Sequence, residues 1–426
     1  MIATTKLHIG IIGLGYVGLP LARLLATRYH TIGFDRNAER VNALKKGIDH
    51  TQELSVNKMQ ELLHSPNFAL TNHISESLRA CNIYIIAVPT PVDSNHRPDL
   101  KPLLEASRMV GEILRKGDLV IYESTVYPGV TEEECAPILE QASALQYNTD
   151  FFVGYSPERI NPGDKKHTVE RITKVTSGST PETANFVDKL YQSVLQCGTF
   201  KASSIRVAEA AKIIENTQRD VNIAFMNELA KIFNAMEIDT REVIAAASTK
   251  WNFIPMEPGL VGGHCISIDP YYLIQKAQIY GILPRLISEA RNINDGMGEY
   301  VAFQAIRLME KRGILIKSAR ILILGFSFKE NCPDTRNTKV EDLYITLNKY
   351  TSHITIYDPW VDVDSVKREY HIDIKKELPS RTFNAIILAV GHEEFKSLAI
   401  HDLLAEKGII YDIKGILPRE EVDGRL

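Results

Sequence analysis

The residues that most restrict the fold run from Leu7 to Asp35. Leu7-His8-Ile9-Gly10-Ile11-Ile12 is an apolar run of strand length, followed by Gly13-Leu14-Gly15-Tyr16-Val17-Gly18. A helical pattern then extends from Val17 to Tyr29, and Thr31-Ile32-Gly33-Phe34-Asp35 reads as a second strand. A GxGxxG turn between strand and helix, with an acid about 20 residues on, predicts a dinucleotide-binding βαβ unit. Gly13 makes the tight turn, Gly15 lets a pyrophosphate approach the backbone N–H groups, and Gly18 lets helix and strand pack closely. Tyr16 and Val17 complete the loop and join the candidate cofactor contacts. Asp35 can accept hydrogen bonds from ribose hydroxyls and would repel a 2′-phosphate, so the expected cofactor is NAD. Arg36, next to it, is also a cofactor-site candidate, and its charge works against that discrimination.

Three more strands are read at 82–88, 119–122 and 151–155. They end in Pro89-Thr90-Pro91, in Glu123-Ser124-Thr125-Val126-Tyr127-Pro128-Gly129 and in Ser156-Pro157-Glu158-Arg159. Open parallel sheets bind ligands beyond the carboxyl ends of their strands, so these loops should line the crevice. Thr125 offers it a hydroxyl and Glu158 a carboxylate. The alternative is that the prolines merely stop the strands and that Glu158 is solvated.

From Ser203 to about Met236 the pattern is helical, with apolar residues on more than one stripe. Such a helix packs on several sides, including against another subunit. Lys212 and Asn216 lie one turn apart and share a face. Asparagine is a poor interior helix former, so the pair points at something polar. Glu209 and Glu215 leave a solvated Lys/Glu face as the competing explanation. A short helix at 240–247 leads through Thr249-Lys250-Trp251-Asn252-Phe253 to Gly262-Gly263-His264-Cys265-Ile266-Ser267-Ile268-Asp269-Pro270. Two glycines permit a close approach to Cys265. A thiol reacts as its thiolate, so exposure and pKa decide its role. A helix beginning there would set Cys265 and Asp269 on one face. A lone cysteine is also commonly a small buried apolar residue. A further helical region runs from Tyr271 to Arg312.

Strands alternate with helices again at 319–325, 353–359, 383–390 and 408–412. The expected class is α/β: two Rossmann-like doubly wound parallel-sheet domains joined by a central helical domain with one long helix. The boundaries read as 1–202, 203–312 and 313–426. Asp358 ends the second strand of the last domain as Asp35 does in the first. Phe328, Lys329 and Arg336 lie in its first turn, where either cation could meet a phosphate or simply face solvent.

The formal net charge of -4 supplies no electrostatic reason for a nucleic-acid or anionic-membrane partner. No apolar run is long enough to span a bilayer. Met1-Ile2-Ala3-Thr4-Thr5-Lys6 lacks a signal-peptide core. The 5 cysteines are scattered with no CxxC pair, so neither a disulfide framework nor a metal site is indicated. A cytoplasmic location is expected.

The chain resembles the UDP-glucose/GDP-mannose dehydrogenase family along essentially its whole length. The resemblance rests on Gly13-Leu14-Gly15-Tyr16-Val17-Gly18, Val88-Pro89-Thr90-Pro91, Ser124-Thr125-Val126, Ser156-Pro157-Glu158, Lys212 with Asn216, Gly262-Gly263-His264-Cys265 with Asp269, and Phe328-Lys329 with Asp334-Thr335-Arg336. Within the family, Thr249–Phe253 and His264–Leu273 look like UDP-N-acetylhexosamine 6-dehydrogenases. The resemblance implies oxidation of a sugar C6 alcohol to an acid with two NAD in turn and one nucleophilic cysteine, Cys265. It implies that Lys212 and Asn216 stabilise charge on the C6 oxygen, that Asp269 and Thr125 hold a water, and that Glu158 helps activate the hydrolytic water. The cofactor contacts would be Gly13, Gly15, Tyr16, Val17, Gly18, Asp35, Arg36, Pro89, Thr90, Ser124, Thr125 and Arg336. The UDP-sugar contacts would be Glu158, Arg159, Lys212, Asn216, Gly262, Gly263, Phe328 and Lys329. A homodimer through the long helix and a role in polysaccharide biosynthesis are further implications. UDP-glucose as substrate, or a non-catalytic NAD- and UDP-sugar-binding protein, are the alternatives.

Overall fold

The computed structural model describes residues 6–93, 95–159 and 169–426, so the leading Met1–Thr5 segment lies outside them. The chain divides into two compact units. One comprises Met1–Glu215 with Tyr271–Gly281, and the other comprises Asn216–Pro270 with Ile282–Leu426.

The first unit is built on eight strands: β1 (His8–Ile12), β2 (His30–Phe34), β3 (Phe68–Thr71), β4 (Ile83–Ile86), β5 (Leu119–Tyr122), β6 (Phe152–Tyr155), β7 (Lys174–Gly178) and β8 (Thr199–Lys201). Their order is β3-β2-β1-β4-β5-β6-β7-β8. Pairing is parallel throughout except between β6 and β7. β4 and β5 are buried at every position, as expected for apolar, β-rich runs covered by helices on both faces. The strand order reverses between β1 and β4, so the loops after these strands flank the crevice where such sheets bind ligands. β3, β7 and β8 are not evident in the sequence, because Phe-Ala-Leu-Thr, Lys-Val-Thr-Ser-Gly and Thr-Phe-Lys are short and partly polar.

The second unit carries β9 (Ile321–Leu324), β10 (Ile354–Tyr357), β11 (Ile374–Lys375), β12 (Phe383–Leu388), β13 (Leu404–Asp412) and β14 (Gly424–Arg425), in the order β11-β10-β9-β12-β13-β14 and all parallel. Ile321 and Ile323 join one apolar cluster while Leu322 and Leu324 join another. That alternation places a packed core on each face of the sheet.

The boundary between the units falls inside a 31-residue helix, Ile205–Ala235. The helical region expected at 271–312 resolves into three helices, Asp269–Ile279, Arg285–Asp295 and Met297–Lys311. Among the described residues, no helix is long and apolar enough to cross a membrane.

Candidate functional site

In the first unit the three glycines of the turn are distinguished by what a side chain would meet. Gly13 has φ +95° and a Cβ there would lie 2.7 Å from the Ala87 carbonyl oxygen. At Gly18 it would lie 1.8 Å from the Gly13 oxygen. At Gly15 it would meet nothing within 4 Å. Two glycines therefore serve close packing, and the third faces open space where a phosphate can reach the backbone. The helix Gly18–Ala26 begins with no side-chain cap and no acid in its first turn, which suits an anion. Asp35 is half-buried; its oxygens accept from the Leu14 N–H at 2.9 Å and the Asn37 N–H at 2.9 Å. Each oxygen keeps a second lone pair for a ribose hydroxyl. These residues fit a dinucleotide. Arg36 is exposed and pairs with Glu105 at 3.1 Å. Arg40, not singled out by the sequence, donates to the Leu14 carbonyl at 3.0 and 2.9 Å and so braces the turn.

The loops after β4 and β5 are tied together by the side chains expected to face the cofactor. Thr90 donates to the Thr125 carbonyl at 2.7 Å, and Ser124 donates to the Val88 carbonyl at 2.7 Å. The Tyr272 hydroxyl adds a bond to the Thr90 carbonyl at 2.8 Å. Pro89 is exposed on the same rim, and Thr125 is half-buried.

Glu158 is not solvated. It is buried against Lys174, whose ammonium lies 3.1 Å from Glu158 Oε2 and 2.7 Å from Glu123 Oε2. Arg159 bonds the Lys212 carbonyl at 3.4 Å and pairs with Glu215, fastening this loop to the long helix. Nor is Lys212 on a solvated face: it is buried, as is Glu209, which accepts from the Gly129 and Thr131 N–H groups at 2.6 and 3.0 Å. Burial pushes the Glu209 carboxyl up to about 7.

In the second unit, Asn216 and Asp269 are both buried, and the Asn216 amide donates to Asp269 Oδ2 while its oxygen accepts from Arg219. The helix starts at Asp269, not at Cys265. Residues 263–268 form turns instead, and the Asp269 N–H reaches the Cys265 carbonyl at 2.9 Å. Cys265 is partly exposed, whereas Cys81, Cys135 and Cys332 are buried. The glycines before it are required by packing. A Cβ at Gly262 would lie 2.6 Å from the Asn337 carbonyl oxygen, and one at Gly263, whose φ is +85°, would lie 2.8 Å from the Phe328 ring. Asn337 donates to the Gly263 carbonyl at 3.1 Å. The cysteine loop is thereby docked on the 326–337 loop.

Arg336 grips Asp334 through Nε at 3.0 and 3.1 Å, and its Nη2 lies 3.4 Å from His264 Nε2. Burial pushes Asp334 up, but Arg336 and His264 hold it below the usual carboxylate range. A small cleft opens beside this loop, lined by Gly262, Phe328, Glu330, Lys339 and Lys414 among others. Lys329 is half-buried two residues along from Ser327, whose hydroxyl bonds the Lys329 carbonyl at 2.8 Å.

Three family models cover nearly the whole chain. The UDP-glucose/GDP-mannose dehydrogenase NAD-binding domain matches residues 7–195, the central domain 206–296 and the UDP-binding domain 322–419. The chain belongs to this dehydrogenase family. It is 51% identical, over 100% of both chains, to the UDP-N-acetyl-D-glucosamine 6-dehydrogenase of Salmonella typhi. It is 51% identical to the enzyme of the same name from Pseudomonas aeruginosa, over 99% of each. The UDP-D-ManNAc dehydrogenase structure from Pyrococcus horikoshii superposes with TM-score 0.89 at 32% identity, covering 98% of both chains. As a family member, the chain is an NAD-dependent nucleotide-sugar oxidoreductase.

For a dehydrogenase of this family, the residues that sequence reasoning missed are mainly charged. Lys414 follows β13 and lies 3.6 Å from Glu330. Lys339 pairs with Asp295 at 2.9 Å and Asp342 at 3.0 Å. Neither stands in a recognisable motif, and only the β9/β12 crossover brings them to one cleft. Lys174 and Glu123 are missed for the same reason, being 51 residues apart in the chain. Among the described residues, no group of three or more His, Cys, Asp or Glu side chains could hold a metal ion.

Proposed function

We propose that the enzyme oxidises the C6 hydroxyl of a UDP-N-acetylhexosamine, with UDP-N-acetylglucosamine the first candidate, to the corresponding uronate. The full-length identity of 51% to two enzymes of that name supports the substrate. The observation that carries the chemistry is Cys265, a partly exposed thiol on a glycine-held loop one turn ahead of the buried Asn216–Asp269 pair. NAD, when bound on the first sheet, supplies the hydride acceptor for both oxidations.

In this reading Lys212 and Asn216 offer an ammonium and an amide to the developing negative charge on the C6 oxygen. Asp269 with Thr125 holds the water that carries the alcohol proton away. The Cys265 thiolate adds to the C6 aldehyde, and loss of hydride from the resulting thiohemiacetal leaves a thioester. Glu158 takes a proton from the water that hydrolyses it. Lys329, with Lys339 and Lys414, meets the diphosphate, and Arg336 with Asp334 fixes the loop on which Cys265 is docked. The working domains are 1–202 for NAD, 203–312 for the cysteine loop and subunit contact, and 313–426 for the UDP-sugar.

A homodimer through the long helix is part of the same proposal. Val207, Ile214, Phe225 and Ile232 are each roughly half exposed and recur at seven- and eleven-residue intervals along it. A cytoplasmic place in polysaccharide biosynthesis completes the reading. The decisive experiment supplies NAD with UDP-N-acetylglucosamine, UDP-N-acetylgalactosamine or UDP-glucose to wild type and Cys265→Ala. Two NADH per N-acetylated sugar and no uronate from the variant are expected. Uronate at the wild-type rate from the variant would exclude the thioester route, and a clear preference for UDP-glucose would exclude the substrate.

A further inference from the structure

Behind Glu158 lies a buried cluster that the reaction above does not use. Lys174 opens β7, Glu123 follows β5, and Tyr191 closes the helix Pro181–Gln192. All are almost wholly removed from water. The three protons of the Lys174 ammonium have three acceptors: Glu123 Oε2 at 2.7 Å, Glu158 Oε2 at 3.1 Å and the Pro157 carbonyl at 3.4 Å. The Tyr191 hydroxyl donates to the other Glu123 oxygen, and the Lys174 ammonium lies 5.1 Å from the Tyr191 ring centroid. Glu158 Oε1 is held in turn by the Arg159 N–H at 2.6 Å.

A surface lysine would swing through many rotamers. This one is fixed by a tripod of acceptors, two of which belong to the Pro157-Glu158 segment. We infer that Lys174 is a positioning residue for thioester hydrolysis: it aims the Glu158 carboxylate at the attacking water, while Glu123 and Tyr191 anchor Lys174 from behind. The inference rests on the role of Glu158 proposed above. In the step concerned, the water oxygen bonds to C6, one water proton passes to Glu158, the C6–sulfur bond breaks, and Cys265 leaves as thiolate. Burial pushes Glu123 up to about 7, against the pull of Lys174.

The test follows NADH after mixing enzyme with NAD and UDP-N-acetylglucosamine. Lys174→Gln is expected to show a burst of two NADH per active site, then a steady state about 30-fold slower than wild type, less than the roughly 10²–10⁴-fold that a general base contributes. KM for the sugar nucleotide should change less than about threefold, because Glu158 is the one proposed sugar-nucleotide contact that Lys174 holds. Glu158→Gln should show the same burst, and the double variant should be no slower than Glu158→Gln alone, as expected for residues acting in one unit. Glu123→Gln, which keeps the shape and removes a buried charge, serves if Lys174→Gln does not fold; a burst with a loss of about fivefold is expected. Wild-type turnover without a burst in Lys174→Gln or Glu123→Gln, while Glu158→Gln does show one, overturns the positioning role. Unimpaired turnover by Glu158→Gln removes Glu158 from the hydrolysis, and this inference with it.

Discussion

Asp35 follows β2 in the first sheet as Asp358 follows β10 in the second, yet the two carboxylates are held differently. Asp35 is half-buried and accepts two backbone N–H groups, one on each oxygen. Asp358 is sealed, and accepts from the N–H groups of Phe326 at 2.7 Å, Ser327 at 3.1 Å, Trp360 at 2.7 Å and Val361 at 3.2 Å, with His392 Nε2 at 3.2 Å. One acid retains capacity for a ligand. The other has become a fastener for two loops. The first turn glycines are alike, a Cβ at Gly13 lying 2.7 Å from the Ala87 carbonyl oxygen and one at Gly325 2.4 Å from the Val390 Cβ, but the open position of Gly15 is taken by the buried Ser327 in the second turn. A shared strand–turn–acid plan thus fixes where a carboxylate stands, and the number of local donors decides whether it binds or braces.

The sharpest break of this comparison is Gly18→Ala against Gly15→Ala. The first forces the Gly13 carbonyl to move and should abolish NAD binding, a loss above about 100-fold by titration; the second should fold with stability within about 0.5 kcal/mol of wild type, since no atom opposes its methyl. Next, Asp358→Ala strands four backbone N–H groups and should lower unfolding free energy by at least about 4 kcal/mol in urea, while Asp35→Ala should lower it by less than about 1 kcal/mol.

The pH dependence of two buried acids sharpens the point. Burial raises Glu123 to about 7 from 4.5, because a lysine shared with Glu158 and one hydroxyl do not replace its lost hydration. Burial also works against Asp358, but His392 and the backbone donors bring it below its ordinary value. Glu123 therefore contributes most below pH 4.5, and the stability of wild type relative to Glu123→Gln should fall by about 3 kcal/mol as pH rises from 4.5 to 7. Wild type relative to Asp358→Asn should behave oppositely, with its advantage complete above the unfolded carboxylate value and lost as pH falls through the lower folded one. Thermal melts across pH 3–8 would separate the two. The smallest effect expected is on affinity: Asp35→Ala should raise KM for NAD about tenfold with little change in kcat, the loss of one charge-assisted hydrogen bond to ribose.

Much of this was legible along the chain because the signals are local. Continuous apolar runs mark β1, β4, β5 and β9, and the glycine spacing marks the dinucleotide turn. Lys212 and Asn216 fall one turn apart on a single helix. What stayed hidden has no local signature. β7 is half polar because its first residue, Lys174, is an internal ion-pair partner instead of a core residue. Asp334 looks like any loop acid until Arg336 and His264 close on it. Glu158 read equally well as solvated or functional, since nothing in Ser-Pro-Glu-Arg tells how much protein will cover it.

By itself, then, the sequence determined the two sheets, the long helix, the glycine turn after the first strand and the one cysteine framed by glycines, since hydrophobic period and backbone freedom are properties of neighbouring residues. Tertiary structure alone decided which carboxylates are sealed and which stay open, and which lysines become internal counter-ions. Burial, hydrogen-bond supply and ionisation depend on residues tens of positions apart, and they take their values only when the sheets have closed around them.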